Sequence, residues 1–138
     1  MEEPKKLKYR IIDNLEKHTK QFCDKYNIKY ESFGMYLRSI HISAPFIILG
    51  DFFYKSQMLC TFSIVFLLIS FISFYNLDGC LLTRLERKLC GDTFTFVDPF
   101  IEFKGLEKNN KSRYEISLQI AYVYIALVLS IYIYRFLL

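Results

Sequence analysis

Met58 to Tyr75 reads MLCTFSIVFLLISFISFY, eighteen residues with no charge, no glycine and no proline. A helix rises ~1.5 Å per residue, so this run covers ~27 Å, close to the ~30 Å hydrocarbon thickness of a bilayer. A soluble domain of this size rarely carries such a stretch unbroken. The run predicts a transmembrane helix over 58–75, and that constraint shapes every other reading of the chain. Charge is segregated to match: residues 1–38 and 76–116 hold nearly all of it, while 40–75 and 117–138 hold almost none. Lipid-facing helices need no polar shell, so segregation of this kind marks a membrane protein.

Two further apolar stretches follow the same logic. Ser117 to Tyr134 contains a single amide, Gln119, with Tyr122 and Tyr124 near its start and Tyr132 and Tyr134 near its end, as two interfacial belts would lie. It predicts a C-terminal span over 117–138, closed by Arg135. Ile40 to Tyr54 is interrupted by His41, Pro45, Gly50 and Asp51. As a helix it reaches only ~22 Å, which fits a short first span or a re-entrant segment. Lys55, Ser56 and Gln57 would turn it into a hairpin with the main span, making 39–75 one unit. Within that hairpin Ser56, Cys60, Ser63 and Ser70 fall inside roughly 80° of one helical face, a candidate packing seam of small residues.

The polar segments carry their own patterns. From Pro4 onward, Leu7, Ile11, Leu15, Phe22 and Tyr26 recur at helical spacing among many lysines. This predicts a basic amphipathic helix within 1–38, suited to a membrane surface or a partner, ending near Asn27. Tyr30 to Arg38 reads as a short aromatic connection. In the loop 76–116, Asp78 is a candidate cap and Gly91 a candidate stop for a short helix over 79–90. Leu81, Leu82, Leu85 and Leu89 share its apolar face, as an interfacial helix requires. Thr93 to Phe96 alternates with the period of a strand until Asp98-Pro99 interrupts it. Lys108 to Ser112 is a polar turn. The fold class expected is an all-α membrane protein: two long spans, a short first span, an amphipathic N-terminal helix and a short interfacial helix.

Lys and Arg gather on the side of synthesis. With three spans, sixteen of the eighteen basic residues fall on one side, leaving Lys55 and Arg135 opposite. With two spans the loop 76–116 still faces that side. Asn110-Lys111-Ser112 is a glycosylation sequon, which this orientation leaves unmodified. The charged first thirty residues predict neither a signal peptide nor, with Glu2, Glu3, Asp13 and Glu16 among them, a mitochondrial presequence. The mitochondrial inner membrane and a viral internal membrane fit best.

Chemistry is sparse. Cys23, Cys60, Cys80 and Cys90 have no metal spacing and read as reduced structural thiols. His41 and Asp51 are ionisable residues within apolar sequence, candidates for function by that placement. On one helix they stand ~15 Å apart along the axis and cannot pair there. Cys80 with Thr83 and Glu86 invites comparison with a nucleophile site, but no histidine lies near them in sequence to act as base. No metal, no cofactor, no catalytic residue and no nucleic-acid partner is expected.

The segment Cys80-Leu81-Leu82-Thr83-Arg84-Leu85-Glu86 resembles the C-P-L-T-x-L-E signature of a family of small bacterial multi-span membrane proteins of unknown function, with Leu81 in place of the proline. The resemblance covers residues 38–90 and implies that His41 and Gly50 match a His and a Gly in an earlier span of that family. It implies no activity. The composition, rich in Lys, Ile, Phe and Tyr, is similar to that of small membrane proteins of large DNA viruses or AT-rich protists. The expected function is non-catalytic: a structural or accessory subunit that anchors a larger assembly to a membrane, with the bilayer and other membrane or assembly subunits as partners. The competing expectation is a small carrier or redox-complex membrane subunit using His41, Asp51 or Cys80.

Overall fold

The computed structural model describes residues 4–54 and 56–138, with side chains from Leu7 onward. Expectations resting on Glu2, Glu3, the side chains of Lys5 and Lys6, or Lys55 fall outside the described residues. Six helices occur among those described: α1 (Pro4–Lys25), α2 (Tyr30–Asp51), α3 (Gln57–Asn76), α4 (Leu81–Cys90), α5 (Asp98–Phe103) and α6 (Asn110–Phe136). No strand is found among them. Helices α2, α3 and α6 are long and apolar enough to cross a membrane.

Several expectations need correction. The short segment 40–54 is the second half of α2, which begins at Tyr30 and runs for 22 residues, ~33 Å of helix. Tyr30 to Arg38 is thus helix and not a connection. A helix needs no apolar sequence to continue, and the charge of Arg38 is met by Asp92, far along the chain. Thr93 to Phe96 forms no strand, because a ladder needs a second extended segment and none is available among the described residues. Asp98-Pro99 opens α5, where a first-turn proline loses no helical hydrogen bond. The polar turn at 108–112 ends sooner than expected, since Asn109 caps α6 by accepting the Ser112 N–H at 2.8 Å. Asp78 caps nothing. It sits at φ 48°, the N-cap of α4 is Cys80, and Gly91 at φ 66° stops the helix.

The chain forms two compact units: Met1–Ile42 with Phe74–Thr95, and Ser43–Ser73 with Phe96–Leu138. In the first unit α1 packs on α4. Lys88 reaches Asp13 at 2.8 Å and Glu16 at 2.7 Å. The face of α1 that is buried runs through Lys8, Ile12 and Cys23, whereas Leu7, Leu15, Phe22 and Tyr26 of the expected stripe are exposed. The Lys8 ammonium earns its burial by donating to the Asp78 carbonyl at 3.2 Å. Asn27, at φ 54°, ends α1 while Ile28 N–H closes back on the Cys23 carbonyl at 2.8 Å. Of the leucine face of α4, Leu85 and Leu89 are buried by the protein itself, and Leu81 and Leu82 are half-buried.

In the second unit the contacts set helix directions. Thr61 and Tyr132 share a hydrogen bond of 2.8 Å, and the Phe71 and Tyr122 rings meet at 5.3 Å. Residue numbers rise along α3 as they fall along α6, so the two are antiparallel. The Tyr124 hydroxyl donates to the Pro45 carbonyl at 2.7 Å, and Arg135 donates to the Phe52 carbonyl. The end of α2 is thus parallel to α6. Ile48, Phe52, Cys60, Ile64 and Val128 form the core. The small-residue seam divides: Cys60 and Ser63 are buried, while Ser56 and Ser70 are exposed. Ser56 accepts the Leu59 N–H at 3.3 Å at the start of α3. The remaining surface of α3 is apolar, with Phe62, Phe66, Ile69 and Ile72 more than half exposed. A helix that is apolar all round while its side chains lie open is suited to hydrocarbon.

Candidate functional site

The turn before α4 sets the site. Gly79 N–H returns to the Phe74 carbonyl at 2.9 Å, and Gly79 adopts φ 129°, a conformation that side-chain-bearing residues rarely hold. The next residue, Cys80, is extended at φ −77°, ψ 122°, and α4 starts immediately after it. Cys80, Thr83 and Glu86 follow at intervals of three, one side of the first two turns.

Into that side projects His41 from α2. Its Nε2 lies 3.6 Å from Cys80 Sγ. Its Nδ1 lies 3.4 Å from Thr83 Oγ1 and 3.5 Å from Glu86 Oε2. Cys80 and Glu86 diverge by ~120° on the helical wheel, and the imidazole bridges them because its two nitrogens point apart. The Glu86 side chain is only 4% exposed, and its Oε2 is buried without a hydrogen-bond partner. One helical turn before His41, Arg38 closes the cluster. Its fork holds Asp92 at 2.7 and 2.9 Å, and its Nε stands 3.8 Å from Glu86 Oε1. The guanidinium lies over the Phe94 ring at 5.3 Å, and Asp92 Oδ1 also accepts the Phe94 N–H at 3.2 Å.

The electrostatics single out one thiol. Burial pushes Cys23 and Cys90 above the ordinary thiol value. At Cys80 burial works in the same direction, but the hydrogen bond and charge of His41 outweigh it and the thiol is lowered. The Arg38 fork holds the Asp92 carboxyl below its usual range. Among the described residues no three His, Cys, Asp or Glu side chains are grouped to hold a metal ion. His41, Cys80 and Glu86 are arranged around an imidazole and share no common point.

Of the three polar residues singled out from sequence, the structure joins His41 and Cys80. Asp51 belongs to the other unit, where its carboxylate accepts the Ser63 hydroxyl at 2.5 Å and its carbonyl accepts the Cys60 thiol at 3.4 Å. Sequence reasoning missed Arg38 and Asp92, and it saw no histidine beside Cys80 because His41 lies 39 residues away. The i, i+3, i+6 spacing of Cys80, Thr83 and Glu86 was the available signal.

Fold and site together define an all-helical protein with three helices able to span a membrane and a thiol–imidazole–carboxylate cluster. Compared with protein-family models, curated proteins and solved structures, the chain matches none.

Proposed function

We propose that α2, α3 and α6 all cross a membrane and that the protein is a structural or accessory subunit anchoring a larger assembly there. The open apolar surface of α3 carries this reading, since water would leave those side chains without partners. Parity of crossings supports the span count. Lys88 pairs with Asp13 and Glu16, and Arg38 with Asp92, so the N-terminal segment and residues 81–92 share one side. Two crossings between them, α2 and α3, satisfy this; a re-entrant 40–54 would put them on opposite sides. The basic residues then favour that side as the side of synthesis.

Alkaline carbonate should leave the protein in the membrane pellet, and mild detergent should release it in a particle larger than one 16.5 kDa chain and its micelle. Release by carbonate refutes the spans. A solitary chain refutes the accessory role.

A second reading, a small carrier or redox-complex subunit, is favoured by the meeting of His41 with Cys80. Asp51 leaves that reading because Ser63 and Cys60 occupy it. Kinship with the bacterial family of the C-P-L-T-x-L-E signature belongs to the same proposal, supported by the convergence of Cys80, Thr83 and Glu86 on the earlier-span His41.

A further inference from the structure

We infer that Cys80, His41 and Glu86 form an acyl-transfer site, in which the Cys80 sulfur attacks a long-chain acyl thioester and carries the acyl group as an S-acyl intermediate. The inference goes beyond the anchoring role; its choice of a long acyl chain rests on the proposed membrane setting of α2, and its thiol chemistry does not.

The order of groups is that of an activated nucleophile: thiol against Nε2 at 3.6 Å, carboxylate against Nδ1 at 3.5 Å. The sulfur contact is of ordinary hydrogen-bond length, while the carboxylate contact is long and fits a resting site that tightens around substrate. Cys80 heads α4, where the free N–H groups of the first turn favour a thiolate. Glu86 supplies an observation independent of the thiol. A buried carboxylate oxygen with no hydrogen-bond partner is costly and calls for an explanation, and here it stands where it would stabilise an imidazolium. Arg38 is a positioning residue, fixed by Asp92 and set 3.8 Å behind the carboxylate.

Other thiol chemistries fit less well. Disulfide exchange within the chain needs a resolving partner, but Cys23 and Cys60 are fully buried and Cys90 is ten residues along the same helix, ~15 Å away. The charged groups in contact at the cluster are Arg38 and His41 on α2 and Glu86 on α4, with Asp92 beyond Arg38. Arg84 donates to the Asp78 carbonyl at 3.0 Å, as Lys8 of α1 does at 3.2 Å. A long acyl chain is expected because α2 continues from His41 as apolar sequence, Ile42 to Gly50, the setting in which a lipid-soluble electrophile concentrates.

The step balances without an oxidant or reductant. The Cys80 S–C bond forms as the thioester C–S bond breaks, and the departing thiolate takes the proton held by His41. In the second half His41 accepts a proton from a hydroxyl acceptor or water, the new O–C bond forms, and the Cys80 S–C bond breaks.

The test uses full-length protein in detergent, incubated with palmitoyl coenzyme A at neutral pH and followed by intact mass. One adduct is expected, released by neutral hydroxylamine and mapped to Cys80. Cys80→Ser should abolish it, and His41→Gln should slow it by roughly 100-fold, the lower bound for loss of a general acid–base group, with helicity unchanged by circular dichroism. No adduct, an adduct on Cys90, or an undiminished rate in His41→Gln overturns the proposal. A second measurement needs no variant: the pH profile of iodoacetamide alkylation in the wild-type protein. Cys80 should titrate below Cys90; equal profiles overturn the assignment. Release by carbonate would remove the reason for a long acyl chain but leave the Cys80 titration and the mapping of the adduct as tests of the thiol, so the two readings fail separately.

Discussion

Replacing Arg38 with Met tests whether the cluster is held by charge. The Arg38 side chain is 10% exposed and grips Asp92 at 2.7 and 2.9 Å. A hydrogen bond to a charged group is worth about 1.5–3 kcal/mol, but Asp92 is 41% exposed and screening reduces the fork to about 1 kcal/mol. Glu86 matters more. Removing the cation beside a buried carboxylate costs about 3–5 kcal/mol, and the nearby His41 keeps the value at the lower end. Together these give about 4 kcal/mol, or on the order of 1,000-fold in the opening equilibrium of the first unit. Cys23 is fully buried in that unit, so its rate of alkylation by a maleimide under native conditions reports the opening. Arg38→Met should accelerate it by two to three orders of magnitude on this reasoning. Adding Glu86→Gln should recover roughly 2 kcal/mol, because the orphaned charge has gone. If Cys23 in Arg38→Met stays about as protected as in the wild type, or the double variant is no better than the single, the charge argument is wrong.

Four further outcomes can be measured. A Cβ on Gly34 would lie 2.7 Å from Cys90 Sγ and 3.2 Å from the Cys90 backbone nitrogen; the sulfur can rotate but the backbone cannot. Overpacking of about 1–3 kcal/mol should outweigh the gain in helix propensity of about 1 kcal/mol, so Gly34→Ala lowers the thermal midpoint. Gly50→Ala meets nothing within 4 Å and should raise it slightly. Asp92 is lowered by Arg38, and Glu16 by Lys20 and Lys88. Stability from a lowered carboxylate is present above its unfolded pKa and disappears as pH falls through the folded one. The first unit should therefore lose helicity below about pH 4, with a smaller acid step in an Asp92→Asn, Glu16→Gln variant; an identical acid step refutes the linkage. Finally, translation into microsomes should leave Asn110 without an endoglycosidase-sensitive glycan, and a glycan there inverts the proposed orientation.

The membrane helices were legible from sequence because hydrocarbon imposes a local rule. Each residue of 58–75 and 117–134 must be uncharged on its own account, whatever its neighbours in space, and the structure places helices over both. The stop at Gly91 was equally local, since a left-handed residue after a helix is a property of the backbone. What failed depended on partners distant in sequence. Arg38 made α2 look ten residues too short, because its charge is met by Asp92 across 54 positions. The buried face of α1 went unseen because Lys8 is buried through a carbonyl at position 78, while the stripe of Leu7, Leu15, Phe22 and Tyr26 stays open. His41 and Cys80 stood apart as isolated polar residues, and only the packing of α2 beside the start of α4 puts imidazole, thiol and carboxylate within contact distance. Hydropathy is a sum over single residues and can be read along a line; a side-chain cluster is a relation among residues, and it exists only once the chain has closed on itself.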